Sequence, residues 1–321
     1  MELHNKVFVV SGPTASGKTF LAIRLAKKYN AIILNADSMQ IYKGLPVLSA
    51  QPDADELKQA EHRIFNLLEI YESNSVFKWL ELVKKESKDI FSQNKNIVIV
   101  GGTGMYISRL INGIIDIPDT DIEIRNRLNT LYDEIGWEKF YEKAKLIDPE
   151  FAATIKKNDK HRIIRICEIY ELCGKKMSDL MKQDNQKLFD DKQIFHINLF
   201  PNREILYDRC EKRFKLMLQN DLVIDEVRQF LIDNKEYVDS GKKFSVYTTI
   251  GFNEIKQYLE NKLTREEMFE LSVKNTRNYA KRQYTWFRNQ FKTLDFLLND
   301  IPNKNNYERI LEDINNKLIQ Q

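Results

Sequence analysis

Val7-Phe8-Val9-Val10-Ser11-Gly12-Pro13-Thr14-Ala15-Ser16-Gly17-Lys18-Thr19 is the stretch from which the rest of the chain can be read. Its four leading apolar residues, mostly β-branched, read as a buried strand. Gly-x-x-x-x-Gly-Lys-Thr follows from Gly12 to Thr19, and then Phe20, Leu21, Ile23, Leu25 and Ala26 recur at helical spacing. Strand, glycine loop and helix in that order are the context of a phosphate-binding P-loop. Glycines let backbone N–H groups turn inward as an anion nest. The helix N-terminus adds the positive end of its dipole. Lys18 supplies charge for a terminal phosphate, and the Thr19 hydroxyl can ligate Mg²⁺. Gly12, Pro13, Thr14, Ala15, Ser16, Gly17, Lys18 and Thr19 are therefore expected to hold a di- or triphosphate, with Thr19 as the metal ligand.

Downstream, Ala31-Ile32-Ile33-Leu34 reads as a second buried strand that runs into Asn35-Ala36-Asp37-Ser38. In a parallel α/β sheet the carboxyl ends of the strands line the ligand edge, which places Asp37 beside the P-loop. Local sequence alone favours Asp37 as a turn or helix cap. A third buried strand, Ile97-Val98-Ile99-Val100, enters Gly101-Gly102-Thr103-Gly104, which is either a second phosphate turn or simply a tight one. P-loop NTPases place an Asp at a strand end to organise Mg²⁺. Here the third strand ends in glycines and the acid on offer is Asp37, which argues against ATP hydrolysis.

From Asp121 to about Asp191 no strand pattern occurs. Helices are expected near 121–133, 137–147 and 159–173, the last stopped by Gly174. Gln193 to Leu199 reads as a strand that returns to the sheet, Asn202 as a helix cap, and Thr264-Arg265-Glu266-Glu267 as a capping box. The expected fold is α/β, a P-loop NTPase-like parallel sheet flanked by helices, with an inserted all-helical subdomain. The core would comprise 1–118 and 193–321, and the insertion 119–192. The long helix opened by Thr264 carries Lys274, Arg277, Lys281, Arg282, Arg288 and Lys292 between Ser272 and Lys292 with no acid among them. Tyr279, Tyr284, Trp286, Phe287 and Phe291 are interleaved. Cations beside aromatics suit a polyanion and stacked bases.

The chain has 321 residues, 42% of them apolar and 30% charged, with net charge +3, so the bulk charge alone does not announce a nucleic-acid partner. Cys167, Cys173 and Cys210 fit no zinc spacing, and an odd, sparse count suits a reducing compartment. The four histidines are scattered. No apolar run is long enough to span a bilayer, and the first strand begins too early to leave room for a signal peptide. A cytoplasmic protein is expected.

Together, Gly12 to Thr19, Ala36-Asp37-Ser38-Met39-Gln40-Ile41-Tyr42-Lys43-Gly44 and Gly101-Gly102-Thr103-Gly104-Met105-Tyr106 resemble the bacterial tRNA dimethylallyltransferases, also called tRNA isopentenyltransferases. So do Arg209-Cys210-Glu211-Lys212-Arg213-Phe214, Ile250-Gly251-Phe252 and Ala280-Lys281-Arg282-Gln283-Tyr284-Thr285-Trp286-Phe287-Arg288. The match runs in order over nearly the whole chain.

The resemblance implies transfer of a dimethylallyl group from dimethylallyl diphosphate to N6 of the adenosine just 3′ of the tRNA anticodon, with Mg²⁺ as cofactor. It implies Asp37 as general base, and Arg213 and Thr14 as groups on the departing diphosphate. It implies tRNA contacts from Asp37, Ser38, Met39 and Gln40, from Thr103 and Arg125, and from His161, Arg162, Ile163, Ile164 and Arg165. Tyr247, Thr248, Thr249, Ile250, Gly251 and Phe252 would bind the anticodon stem-loop, with Lys281 and Arg282 on the basic helix. A monomer is the family's pattern. Two other readings stay open on the residues: a P-loop kinase of a small metabolite or nucleotide, and an RNA-binding P-loop protein without activity.

Overall fold

The computed structural model describes residues 4–115, 117, 120–183, 185–291 and 294–320. Six parallel strands form one sheet: β1 (Val7–Ser11), β2 (Ala31–Asn35), β3 (His62–Arg63), β4 (Asn96–Gly101), β5 (Ile194–Leu199) and β6 (Phe296–Leu298). Their spatial order is β3-β2-β4-β1-β5-β6. β1, β4 and β5 are buried throughout, as strands covered by helices on both faces must be. Continuous apolar runs such as Val7-Phe8-Val9-Val10 and Ile97-Val98-Ile99-Val100 follow from that double burial.

β1 lies between β4 and β5, with Ser11 level with Gly101 and Asn198. The carboxyl ends of these strands and of β2 meet at one edge, so the chain leaving each is delivered to the same crevice. The helix Lys18–Lys28 leaves the loop after β1 and buries Leu21, Ala22, Ile23, Leu25 and Ala26. On the same core lies the last helix, Tyr307–Ile319, through Ile310, Leu311, Ile314 and Leu318. Each buried Leu or Ile among them contributes about 1.5–3 kcal/mol.

Two strands were not expected. β3 has two residues, too few to carry a period. β6 is short, and it extends the sheet beyond β5 through Ile197, Asn198 and Leu199. The Thr264 capping box is present, and its helix runs from Arg265 to Gln290.

The chain divides into two compact units: residues 1–111 with 188–321, and residues 112–187. The insertion both begins and ends earlier than 119 and 192: Ile114 pairs antiparallel with Gln186, which brings the chain from Asn112 into it, while the chain from Leu188 onward belongs with the first unit. Pro118 and Asp119, at the expected junction, lie outside the described residues, as does Lys292 of the basic run.

The second unit is helical. The chain is helical over Ile122–Ile147 except at Gly136, which interrupts the helix with φ 79° and ψ 173°. That break is the one expected between 133 and 137. Lys160–Cys173 ends at Gly174 in the left-handed region. Leu128, Phe140, Ala144, Ile163, Ile164 and Cys167 form this unit's core. Asp148 is buried there, its two oxygens accepting from Phe151 N and Ser178 N at 3.0 and 2.8 Å.

Candidate active site

In the first unit the glycine loop folds as a nest. Gly12 and Gly17 have φ of 146° and 91°, and Ala15 between them has φ 64°. A Cβ on Gly12 would lie 2.6 Å from the carbonyl oxygen of Leu199 on β5, so the loop can leave the sheet only with glycine there. Lys18 folds back and donates from Nζ to the carbonyl of Pro13 at 2.7 Å. Burial lowers its pKa from the usual 10.5 to about 8, with Asp37 opposing the shift and Arg213 adding to it.

The helix Arg203–Met217, capped by Asn202, brings two arginines to this loop from one face. Arg213 donates from Nη2 to the Thr14 hydroxyl at 2.9 Å. Arg209 donates from Nε to the carbonyl of Ala15 at 2.7 Å. Burial holds the Arg213 pKa below its usual value, yet a guanidinium stays charged at any working pH.

Asp37 follows the end of β2. One of its carboxylate oxygens accepts from Met39 N at 2.9 Å. Its own N–H donates to the Asn35 side chain at 2.7 Å. Both readings of this residue are therefore present in one geometry: the carboxylate stabilises a turn, and it faces the cavity that contains Lys18 and Arg213. Ser38 N donates to the Thr103 hydroxyl at 2.9 Å, which ties the chain after β2 to the chain after β4.

The cavity has a volume of about 760 Å³. The P-loop, Asp37, Arg209 and Arg213 form its polar end. Met39, Val47, Leu48, Phe214, Met217, Leu222 and Ile250 add an apolar wall. A compact anion with an apolar tail matches that division, because the phosphate donors converge at one place and the remaining surface rewards hydrocarbon. Glu226 accepts from the N–H groups of Val47 and Leu48 at 2.7 and 2.8 Å, which holds the loop of the apolar wall in place.

The sequence did not assign a role to Gln283, yet it joins both glycine turns. Its side-chain oxygen accepts from Thr14 N at 2.8 Å and its amide donates to Gly102 O at 2.8 Å. Gln283 is buried. The second turn proves to be a close-packing device: a Cβ on Gly101 would lie 2.1 Å from Ala36 O, and one on Gly104 would lie 2.5 Å from the Trp286 ring. Its place in the block Ala280-Lys281-Arg282-Gln283-Tyr284-Thr285-Trp286, quoted for the resemblance, was the one available signal, and that block says nothing of its partners.

Other expected residues are distributed unevenly. Thr14, Ser16, Thr19, Ser38, Met39, Gln40, Thr248, Thr249, Ile250 and Arg282 line the cavity with Lys18 and Asp37. Thr249 and Phe252 are largely buried, and Tyr247 stacks on Phe252 at 5.2 Å, so this segment is partly core. Gln40 spends its amide on the carbonyls of Ser49 and Ala50. Lys281 is exposed on the long helix.

Two corrections concern side chains. Ile163 and Ile164 are 0% and 2% exposed, packed in the insertion's core, so they offer no side chain to a ligand; His161 and Arg162 are exposed and Arg165 partly so. Two aromatics of the long helix are taken up by packing, while Tyr279 lines the cavity beside Arg282. Phe287 is buried against Trp286 and Phe291, and Tyr284 packs on Phe200. Arg277 of the same helix pairs with Glu211 at 2.6 Å, a counter-charge supplied from another helix that the local sequence could not reveal.

A family model described as IPP transferase matches residues 40–290. The chain belongs to the IPP transferase family. A tRNA dimethylallyltransferase of Pelagibacter ubique is 37% identical over 288 residues, 90% of each chain. The solved tRNA isopentenylpyrophosphate transferase of Bacillus halodurans is 30% identical, with a TM-score of 0.65 over 98% of this chain and 97% of that one. A eukaryotic dimethylallyltransferase solved acting on tRNA is 28% identical, with a TM-score of 0.83 over 98% of this chain and 79% of that one. Like other IPP transferases, this protein is a prenyl transferase. No helix among the described residues is long and apolar enough to cross a membrane.

Proposed function

We propose that this protein transfers a dimethylallyl group from dimethylallyl diphosphate to N6 of the adenosine 3′ of the anticodon in tRNA and releases diphosphate. The observation that carries the reading is the convergence of the P-loop, Arg213 and Asp37 on one cavity with an apolar wall. Family membership agrees with it.

The adenine amine attacks C1 of the allyl group as the C1–O bond breaks. The bonding electrons leave with the diphosphate, and the N6 proton passes to the free oxygen of Asp37. Lys18, the loop N–H groups, Arg213 and the Thr14 hydroxyl stabilise the charge growing on the leaving oxygens. Met39 N fixes the carboxylate through its other oxygen. An adenine inside the anticodon loop reaches such a cavity only by leaving its stack, so the base is flipped.

Mg²⁺ fits the donor chemistry. Thr19 lines the polar end, and no group of three or more His, Cys, Asp or Glu side chains suited to a metal occurs among the described residues. An ion here would be held by the Thr19 hydroxyl, water and the substrate's own phosphates, as Mg²⁺ commonly is. When bound it supplies further neutralisation of the diphosphate.

On the family's pattern the enzyme acts as a cytoplasmic monomer. His161, Arg162 and Arg165, with Arg125, supply tRNA contacts from the insertion. Ser38, Met39, Gln40, Thr103, Thr248, Ile250, Lys281 and Arg282 supply them from the core. Release of inorganic diphosphate from dimethylallyl diphosphate in the presence of unmodified tRNA, without ATP, tests the reading. ATP consumption with a phosphorylated metabolite as product would replace it with the kinase.

A further inference from the structure

The helix Arg265–Gln290 uses its polar side chains in two ways. Some tie it to neighbouring helices: Arg277 pairs with Glu211, and Asn275 donates to Glu254 at 2.6 Å. Asn278, Lys281, Arg282, Thr285, Asn289 and Gln290 behave differently. They recur at three- and four-residue steps and so form one stripe along the helix. All six are exposed, and with the half-buried indole of Trp286 they line a hollow of about 570 Å³. The side chains of Asn278, Lys281, Thr285 and Asn289 have no hydrogen-bond or ion-pair partner among the described residues. Arg282 also lines the cavity that contains Asp37 and the P-loop, so the hollow and the cavity share that side chain.

A solvated face of this protein is built otherwise. The helix Arg203–Met217 exposes Lys212 paired with Asp208 and Lys215 paired with Glu211, each four residues apart. The chain has 50 basic and 47 acidic residues, and interspersed signs are the ordinary state of a surface without a partner. No acid lines the hollow among the described residues. Its polar groups are of two kinds. Lys281 and Arg282 suit phosphate, one as a point charge and one as a fork. The amides of Asn278 and Asn289 each set a donor beside an acceptor, which matches the edge of an unpaired base. A paired helix of RNA keeps those edges to itself, so chemistry of this kind fits a single-stranded segment.

We propose that the hollow holds the single-stranded nucleotides flanking the target adenosine on one side, with their phosphates on Lys281 and Arg282 and their base edges on Asn278 and Asn289. This rests on the reading above that tRNA is the acceptor. The strand that leaves an adenosine flipped in at Asp37 meets Arg282, which lines both spaces. From Asn278 to Gln290 the stripe runs about 18 Å, long enough for more than one nucleotide.

The test compares wild type with Asn278→Ala/Asn289→Ala and with Lys281→Ala in the full chain. Alanine suits an exposed helix face, and thermal melts check the fold. Binding is measured with unmodified tRNAs that carry each of the four bases at the positions beside the adenosine, and at several salt concentrations. Wild type should favour one base at a flanking position by about five- to 150-fold, the range of a base-edge contact. The amide variant should lose most of that preference and keep the wild-type KM for the prenyl donor. Lys281→Ala should weaken every tRNA alike and reduce the slope of log affinity against log salt by about 0.7–1. An amide variant that retains the wild-type preference overturns the proposal, whether or not its overall affinity falls, and so does an unchanged salt slope in Lys281→Ala. In both cases tRNA remains the acceptor. Wild type that binds no tRNA would instead overturn the reading beneath the proposal.

Discussion

Arg213 and Thr14 lie 199 positions apart in the chain, and the Arg213 guanidinium donates to the Thr14 hydroxyl at 2.9 Å. A helix from the second half of the protein thereby closes the phosphate loop of the first. The loop's anion site is completed by tertiary structure. Removing the guanidinium with Arg213→Ala should lower kcat/KM for the donor by about 10²–10³-fold, the range for losing one preorganised donor. Thr14→Ala should cost about tenfold. The double variant should lose less than the product of the two, because each effect acts through the same contact. Steady-state kinetics on the four proteins check this.

Asp37 carries both a structural and a chemical duty, and one substitution separates them. The oxygen of an asparagine can still accept from Met39 N, so Asp37→Asn should keep the turn. It cannot take the N6 proton. Single-turnover transfer should fall by about 10²–10⁴-fold while tRNA affinity stays within error of wild type. Equal loss of tRNA binding would assign Asp37 to the turn alone.

Lys18 gives the donor affinity a pH dependence. Its folded pKa of about 8 lies below the usual 10.5 because the ammonium is buried. The charge is therefore present below about 8 and lost as pH rises through it. Donor affinity of the free enzyme should be full near pH 7 and decline above about 8, and Lys18→Met should flatten that decline. Stability moves the other way. Between about 8 and 10.5 the unfolded chain holds the proton that the folded one has lost, so this group favours folding as pH rises through that window. Titrating donor binding by calorimetry, beside thermal melts, checks both signs.

Gln283 links Thr14 N to Gly102 O. Gln283→Ala strands a buried carbonyl and a loop N–H, at about 1–3 kcal/mol each. The expected result is a lower melting temperature together with a raised KM for the donor, because the same bond shapes the P-loop. A lower melting temperature with an unchanged KM would confine Gln283 to packing.

The sheet was legible because parallel strands buried on both faces leave continuous apolar runs, and because the P-loop announces where the first one ends. β3 and β6 escaped because two or three residues carry no period. At the site, Asp37 and Lys18 could be placed by topology alone: both follow strands whose carboxyl ends share an edge. Gln283 and Arg209 could not, since their partners are main-chain atoms supplied from more than 180 positions away. The basic helix was misread in part. Trp286, Tyr284, Phe287 and Phe291 pack on Gly104, Phe200 and each other, whereas Tyr279 lines the cavity, and Arg277 meets Glu211 from another helix.

The most direct measurement is nucleoside analysis by mass spectrometry of unmodified tRNA incubated with the protein, dimethylallyl diphosphate and Mg²⁺, using a tRNA whose anticodon is followed by an adenosine run. The account predicts N6-dimethylallyladenosine at the position 3′ of the anticodon, formed in step with inorganic diphosphate and absent with Asp37→Asn. Unchanged tRNA alongside ATP-dependent phosphorylation of a nucleotide, or product formed equally well by Asp37→Asn, would contradict it.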